Sequence, residues 1–260
     1  MREPPLFWKP AKVPEDPGEP GGKEGAGPDS ADAPADIEQL MEKIAFLDKK
    51  LNIVGSVTRH DVLNQLTAIA GYNELLGMMV EDEKQRSYLE KETQAVDKIR
   101  QLFRFAKDYQ NIATEPPRWQ SLNNTLHRVR ELIDLDAIRI LSETGDLAVF
   151  ADPLFEKVYV HLFENTLRHG NTATEIRISL HPEGKSLQLI VEDDGTGILP
   201  EDKEKIFERG YGKGTGWGLF LVREILAVTG ATIIENGEPG KGARFQIQLP
   251  PCTFHEGGGE

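Results

Sequence analysis

From residue 37 the apolar positions of this chain fall into a helical rhythm. Ile37, Leu40, Ile44, Leu47, Leu51 and Val54 recur in alternating steps of three and four, the spacing of a coiled-coil seam. Asp36 followed by Gln39 has the form of a capping box at the head of that run. The rhythm resumes with Val62, Leu63, Leu66, Ile69 and Ala70 and fades near Met79. Past an acidic joint at Glu81 and Asp82, a second stripe of Leu89, Val96, Ile99, Phe103, Ala106 and Tyr109 predicts a helix over about 83–112. Two helices with so short a connection form an antiparallel hairpin. Their stripes are too long for two helices to cover, and the simplest cover is a second copy, giving a homodimeric four-helix bundle. The other arrangement packs the hairpin on the C-terminal part of its own chain, although a first helix of roughly 60 Å outreaches a domain of that size.

Pro116-Pro117 closes this unit, and the period changes beyond it. Strand-like runs at 138–141, 147–150, 175–180, 186–191, 232–235 and 243–249 alternate with helical ones at 122–133, 153–168 and 217–228. Pro182-Glu183-Gly184-Lys185 reads as the turn of a hairpin. Strands mixed with helices and no regular βαβ repeat predict an α+β fold, a two-layer α/β sandwich following the bundle.

Residues 1–35 are rich in Pro, Gly, Glu and Asp and bury too little surface to offset their ordering entropy. They read as a disordered tail, or as carrying a docking motif at Leu6-Phe7-Trp8. The expected organisation is thus a tail over 1–35, a dimerisation hairpin over 36–113, a sandwich domain over 117–251 and a flexible tail over 252–260. A net charge of −13 over 260 residues leaves no basic surplus for nucleic acid. One cysteine, Cys252, excludes a disulfide framework. With no apolar run of about 20 residues and no signal-peptide core, a soluble, cytoplasmic protein without a membrane span is expected.

Two glycine-rich segments carry the candidate chemistry, 191–198 (Val-Glu-Asp-Asp-Gly-Thr-Gly-Ile) and 212–219 (Gly-Lys-Gly-Thr-Gly-Trp-Gly-Leu). Glycines just before a helix let backbone N–H groups approach phosphate oxygens, where the helix dipole also favours negative charge. In the first segment Asp193 at a strand end can accept the exocyclic amine of adenine, with Gly195 and Gly197 letting the base lie against the backbone; an acidic turn would look the same. In the second, the glycines around Lys213 suggest a mobile lid, with Lys213 placed to reach a phosphate; an idle loop is the other reading. On the 153–168 helix Glu164, Asn165, Arg168 and His169 share a face. There Asn165 could offer a carbonyl oxygen to Mg²⁺ and Arg168 or His169 could meet a phosphate, or the face is simply solvated and capped by Gly170.

These segments resemble the N, G1, F and G2 boxes of the histidine kinase family, whose ATP-binding (GHKL, Bergerat) fold is shared with gyrase, mismatch-repair ATPases and heat-shock chaperones. The stretch beginning His60-Asp-Val-Leu-Asn-Gln-Leu-Thr resembles the phosphoacceptor box. The resemblance covers about residues 37–250 in the family's order and spacing, and is nearest to the short-lidded kinases frequent in methanogenic archaea. It implies ATP and Mg²⁺ as cofactors, Asn165 as the metal ligand and Asp193 as the adenine-binding acid. Gly195 and Gly197 become base-site glycines, and Gly214, Gly216 and Gly218 phosphate-side glycines, with Lys213, Thr215, Leu219, Arg168 and His169 completing the nucleotide site. Two departures stand out: His161 replaces the usual first Asn of the N-box, and Gln65 replaces the common Pro after the histidine.

His60 lies outside the apolar stripe and should be exposed. Its neutral imidazole would attack the γ-phosphoryl in line while Asp61 accepts the other ring N–H. Asn64, one turn on, could orient a water or an acceptor carboxylate. The expected activity is autophosphorylation of His60 and transfer to an aspartate of a response regulator. Its competitors are an anti-sigma-type serine kinase and an ATP-binding scaffold or phosphatase-biased partner, the last favoured by His161.

Overall fold

The computed structural model describes residues 33–135, 138–170, 172–212 and 216–256, with side chains from residue 37 onward except that of residue 48. The acidic N-terminal tail and its Leu6-Phe7-Trp8 motif lie outside the described residues, as do Lys213, Gly214 and Thr215. The chain divides into two units after Lys50. What is described of the first is the opening of helix α1 (Ala33–Met79), with Ile37, Leu40, Ile44 and Leu47 all exposed. The helix begins before the expected capping box, so Asp36 is an interior residue; Pro34 in its first turn is tolerated because that N–H would have no helical partner.

In the second unit α1 turns back through Val80–Asp82 into α2 (Glu83–Asn111). Asp82 caps α2, its carboxylate accepting from the Gln85 N–H at 2.9 Å, so the acidic joint of the sequence is a helix start. Among the hairpin's described apolar residues from 51 to 111, only Leu66 and Val96 are fully buried, while Ile69, Leu75, Leu76, Ile99 and Leu102 stay exposed. After α2 the backbone passes through Ala113 at φ 57°, where its N–H donates to Asp152 Oδ2 at 2.8 Å. Asp152 is fully buried and also accepts from Leu154 N–H, and this one carboxylate fastens the hairpin to the following domain.

That domain runs β1 (Arg118–Ser121), α3 (Leu122–Leu132), β2 (Arg139–Ser142), β3 (Leu147–Ala151), α4 (Glu156–His169), β4 (Glu175–Glu183), β5 (Ser186–Asp193), α5 (Gly218–Ala227), β6 (Thr232–Glu235), β7 (Arg244–Leu249) and β8 (Phe254–Glu256). The main sheet has the order β2-β4-β5-β7-β6, parallel only between β2 and β4. Along β7 burial alternates strictly, Phe245, Ile247 and Leu249 facing inward. These join Ile176, Ile178, Leu189 and Val191 against Tyr159, Leu162 and Phe163 of α4 and Leu221, Val222 and Ile225 of α5 in one core. The result is an α/β sandwich of the expected class. The turn between β4 and β5 contracts to Gly184-Lys185, with Gly184 at φ 60°.

Two elements differ from the sequence reading. β1 and β8 flank β3 in a second, three-stranded antiparallel sheet. β8 therefore places Phe254–Glu256 in structure where a flexible tail was expected. Both strands are too short to show a period of two, and both are held by ladder bonds to the apolar β3 rather than by a pattern of their own.

Candidate functional site

Asp193 ends β5, and its carboxylate is held from three sides. Thr166 of α4 donates its hydroxyl to Oδ2 at 2.7 Å, while Oδ1 accepts from the N–H groups of Gly195 and Ala243, each at 3.0 Å. The side chain is half-buried, so its remaining lone pairs point to a fixed and accessible place. Its neighbour Asp194 does different work. It accepts from the Thr174 hydroxyl at 2.6 Å and from the Thr174 and Glu175 N–H groups, joining the start of β4 to the end of β5. The Thr174 hydrogen bond, with those backbone donors, holds the Asp194 carboxyl below the usual carboxylate range.

The turn after Asp193 is built on close backbone approach. A Cβ on Gly195 would lie 2.6 Å from the carbonyl oxygen of Gly170 and 2.8 Å from its Cα. Gly170 itself caps α4 in the ordinary right-handed region, φ −65°, so it is a glycine for proximity and not for a left-handed cap. On the other side, the 236–243 loop lies against Gly197 and Asp193, Gly240 N–H donating to Thr196 O at 2.7 Å.

On α4, Asn165 is half-buried and its side chain makes no hydrogen bond among the described residues, leaving its amide carbonyl open. Glu164 sits beside it with its carboxyl held below the usual range, first by the hydrogen bond from His161, against the upward push of burial, and then by the charges of His161, Arg168 and Arg104. His161 points its Nδ1 at Glu164 Oε2, 3.5 Å away, and its Nε2 is buried without a hydrogen bond among the described residues. Arg168 lies 3.9 Å from Glu164, and Arg168 and His169 are both exposed at the end of the helix.

The second glycine segment is pinched at its base. Gly210 N–H donates to Gly216 O at 2.9 Å, and a Cβ on Gly216 would fall 2.4 Å from the Gly210 carbonyl carbon. Tyr211 hydrogen-bonds Asp202, and the Arg209 guanidinium lies 4.9 Å from the Trp217 ring centre. Trp217 supplies no side-chain cap to α5, so the N–H groups of the first turn, from Gly218 and Leu219 on, have no helical partner. Gly218 packs directly on His161, its virtual Cβ 3.2 Å from Nδ1. Thr166 on Asp193, Gly170 on Gly195 and His161 on Gly218 thus tie α4 to the end of β5 and to the start of α5.

His60, Asp61 and Asn64 stand apart on α1. Both His60 and Asp61 have side chains more than 70 % exposed, at 74 % and 72 %, with Nδ1 3.1 Å from Asp61 Oδ1. The Asn64 amide nitrogen is 3.4 Å from each ring nitrogen, beside the ring. Among the described residues no hydrogen bond or ion pair joins this triplet to the sandwich site. Thr166 and Gly242 escaped the sequence reading. A lone Thr in a helix carries no signal, and Gly242 lies about fifty residues from the acid it abuts.

Residues 152–253 match the family described as histidine kinase-, DNA gyrase B-, and HSP90-like ATPase. Sensor protein KdpD of Escherichia coli K12 is 29% identical over 231 residues, covering 79% of this chain and 26% of its own length. Sensor protein SrrB of Staphylococcus aureus is 26% identical over 225 residues, covering 77% and 38%. The chain therefore spans well under half the length of either relative. In fold it is similar to full-length ShkA, solved in complex with AMPPNP, with a TM-score of 0.57 at 20% identity over 79% of this chain and 46% of that one. Histidine kinase AdeS of Acinetobacter baumannii follows at a TM-score of 0.50 and 21% identity, over 73% and 97%. Among the described residues no helix is long and apolar enough to cross a membrane. Residues 152–253 match the ATPase family of the histidine kinase, gyrase B and HSP90 type, and the similarity of the chain to two sensor proteins is consistent with a sensor histidine kinase catalytic core.

Proposed function

We propose that this chain is an ATP-dependent protein-histidine kinase that phosphorylates itself on His60 and passes the phosphoryl group to an aspartate of a response-regulator receiver domain. The observation that carries the reading is the pairing, in one chain, of an exposed His60–Asp61 couple with a glycine-lined site centred on a fixed carboxylate, Asp193. Asp193 accepts the adenine amine, Gly195 and Gly197 face the base, and Gly216, Gly218 and the open N–H groups of α5 address the phosphates, with Lys213, Gly214 and Thr215 assigned there from the sequence alone. Arg168, exposed at the end of α4, adds positive charge, and His169 offers an exposed imidazole. The open amide carbonyl of Asn165 suits a hard cation such as Mg²⁺, which would supply charge neutralisation at the phosphates.

His60 uses the lone pair of Nε2, since Asp61 faces Nδ1 and accepts its N–H. A bond forms between Nε2 and the γ-phosphorus as the bond to the β–γ bridging oxygen breaks, and ADP leaves. Asp61 stabilises the positive charge that develops on the ring. Asn64, on the same helical face, is positioned to hold the acceptor carboxylate or a water. Because no hydrogen bond or ion pair among the described residues joins the His60 triplet to the sandwich site, the reading calls for the sandwich to move on the hairpin or to act on the hairpin of a second copy. The exposed stripe of Leu51, Val54, Ile69, Leu76, Ile99 and Leu102 supports a homodimeric bundle.

Incubation with γ-labelled ATP tests the assignment. Acid-labile, base-stable label is expected on the wild type and none on His60→Gln, with ATP binding unchanged. Acid-stable label, or label that persists on His60→Gln, overturns it; acid-stable label identifies a serine kinase.

A further inference from the structure

The turn segment after Gly197 carries Lys203, and β6 ends on Glu235. The Glu235 side chain has no exposed surface, and Lys203 Nζ lies 2.8 Å from its Oε2 while donating to the carbonyl of Gly237. Oε2 makes no aligned hydrogen bond among the described residues, so the ammonium acts on it as a charge. Oε1 accepts from the N–H of Gly237 at 2.9 Å and of Arg244 at 3.1 Å, which are the two ends of the 236–243 loop. A buried carboxylate is tolerated only when paired and hydrogen-bonded, and this one gathers a whole loop in meeting that requirement.

The loop is one wall of the candidate adenine site. Ala243 N–H holds Asp193 Oδ1 at 3.0 Å, and Asp193 N–H donates to Ala243 O at 2.9 Å. A Cβ on Gly197 would meet the carbonyl oxygens of Glu238 and Gly242, each at 2.9 Å. Where the loop goes, Asp193 and its glycine turn follow. We infer that Lys203 and Glu235 are a positioning pair for base recognition: they set where the Asp193 carboxylate meets the exocyclic amine of the nucleotide without touching it. The inference rests on the ATP reading above.

The test uses the full chain and compares dissociation constants for ATP and GTP, which carry the same phosphates and differ at the base edge facing Asp193. Lys203→Met is expected to weaken ATP binding about tenfold or more and GTP binding little, compressing the ATP preference by a similar factor. Glu235→Gln keeps the Oε1 acceptor and removes the charge; it carries the same expectation and serves if Lys203→Met does not fold. Asp193→Asn is measured beside them. If it leaves the ATP preference intact, the adenine assignment itself fails. If it abolishes the preference while the folded Lys203 and Glu235 variants keep wild-type discrimination, or lose both nucleotides equally, the positioning role is overturned.

Discussion

Phe105 of α2 and Trp217 at the entry of α5 lie 4.5 Å apart between ring centres, with their planes 38° apart. Phe220 approaches both, at 6.3 Å from each, and Tyr109 lies 5.9 Å from Phe220. The last turns of the hairpin thus hold the first turn of the helix that follows the pinched glycine segment, and Arg209, from the other side of that pinch, covers Trp217. The residues flanking the glycine pinch and the end of the helical hairpin share one aromatic cluster.

Removing the Phe105 ring should loosen that cluster. Full burial makes Phe→Ala worth 3–5 kcal/mol in a core; for the half-buried Phe105, about 2 kcal/mol is expected for Phe105→Ala. In a background of Trp8→Phe and Trp119→Phe, Trp217 is the sole tryptophan and can be excited selectively. Its emission should shift to the red in the variant, and urea unfolding should show the lost stability. An unshifted spectrum would mean that Trp217 stays packed without Phe105.

The sandwich and the hairpin were legible because each announces itself by period: three-and-four steps for the helices, alternation along β4, β5 and β7. Asp193, Gly195 and Asn165 stood out as candidates because each lies within a local motif. What was hidden depends on contacts between distant segments. Thr166 anchors Asp193 across 27 positions, and Phe105 meets Trp217 across more than a hundred, through a side chain one position off the expected stripe. Phe103 and Ala106 carry that stripe in the sequence, while Phe105 faces the sandwich because α2 has two apolar sides at its C-terminal end. β8 has no pattern at all; β3 dictates it.

Acid should weaken the fold through Asp194. Its carboxyl titrates below the ordinary aspartate value, held there first by the Thr174 hydroxyl. Below about pH 4 the unfolded chain therefore binds a proton that the folded chain refuses. The contribution of Asp194 is complete above that value and is lost as pH falls through the lower folded one. Asp194→Asn should be less stable than wild type at pH 7 and should lose less on acidification. Urea midpoints from pH 7 to pH 2.5 check this: parallel curves for the two proteins would show that Asp194 does not contribute to the acid limb.

Tyr159 offers a gain. Its side chain is fully buried in α4, burial pushes the phenol well above its ordinary value, and its hydroxyl has no hydrogen bond among the described residues. A buried hydroxyl without a partner costs of order 1–3 kcal/mol. Tyr159→Phe keeps the ring against Phe155 and Phe163 and removes only that oxygen. It should leave stability unchanged or raise it by about 1 kcal/mol, read as a higher urea midpoint at constant slope. A loss greater than about 1 kcal/mol would reveal a bound water as the missing partner.

Gly242 and Gly240 sit two residues apart in the loop that backs Asp193, and alanine should separate them sharply. Both have left-handed backbones, φ 110° at Gly242 and 83° at Gly240. At Gly240 an added Cβ meets nothing within 4 Å, and its N–H can still donate to Thr196 O. Gly240→Ala therefore bears only the left-handed strain, about 1–2 kcal/mol. At Gly242 the same atom would lie 1.7 Å from the carbonyl oxygen of Asp193 and 2.7 Å from its carbon. No rotamer relieves a clash between two backbones, so the end of β5 must move and carry the Asp193 carboxylate with it. Gly242→Ala should cost at least about 4 kcal/mol if it folds, and it should bind ATP at least tenfold more weakly while Gly240→Ala binds as wild type. Thermal unfolding and ATP titration of the two variants decide the matter. Equal melting shifts with equal affinities would show that the loop and Asp193 move independently.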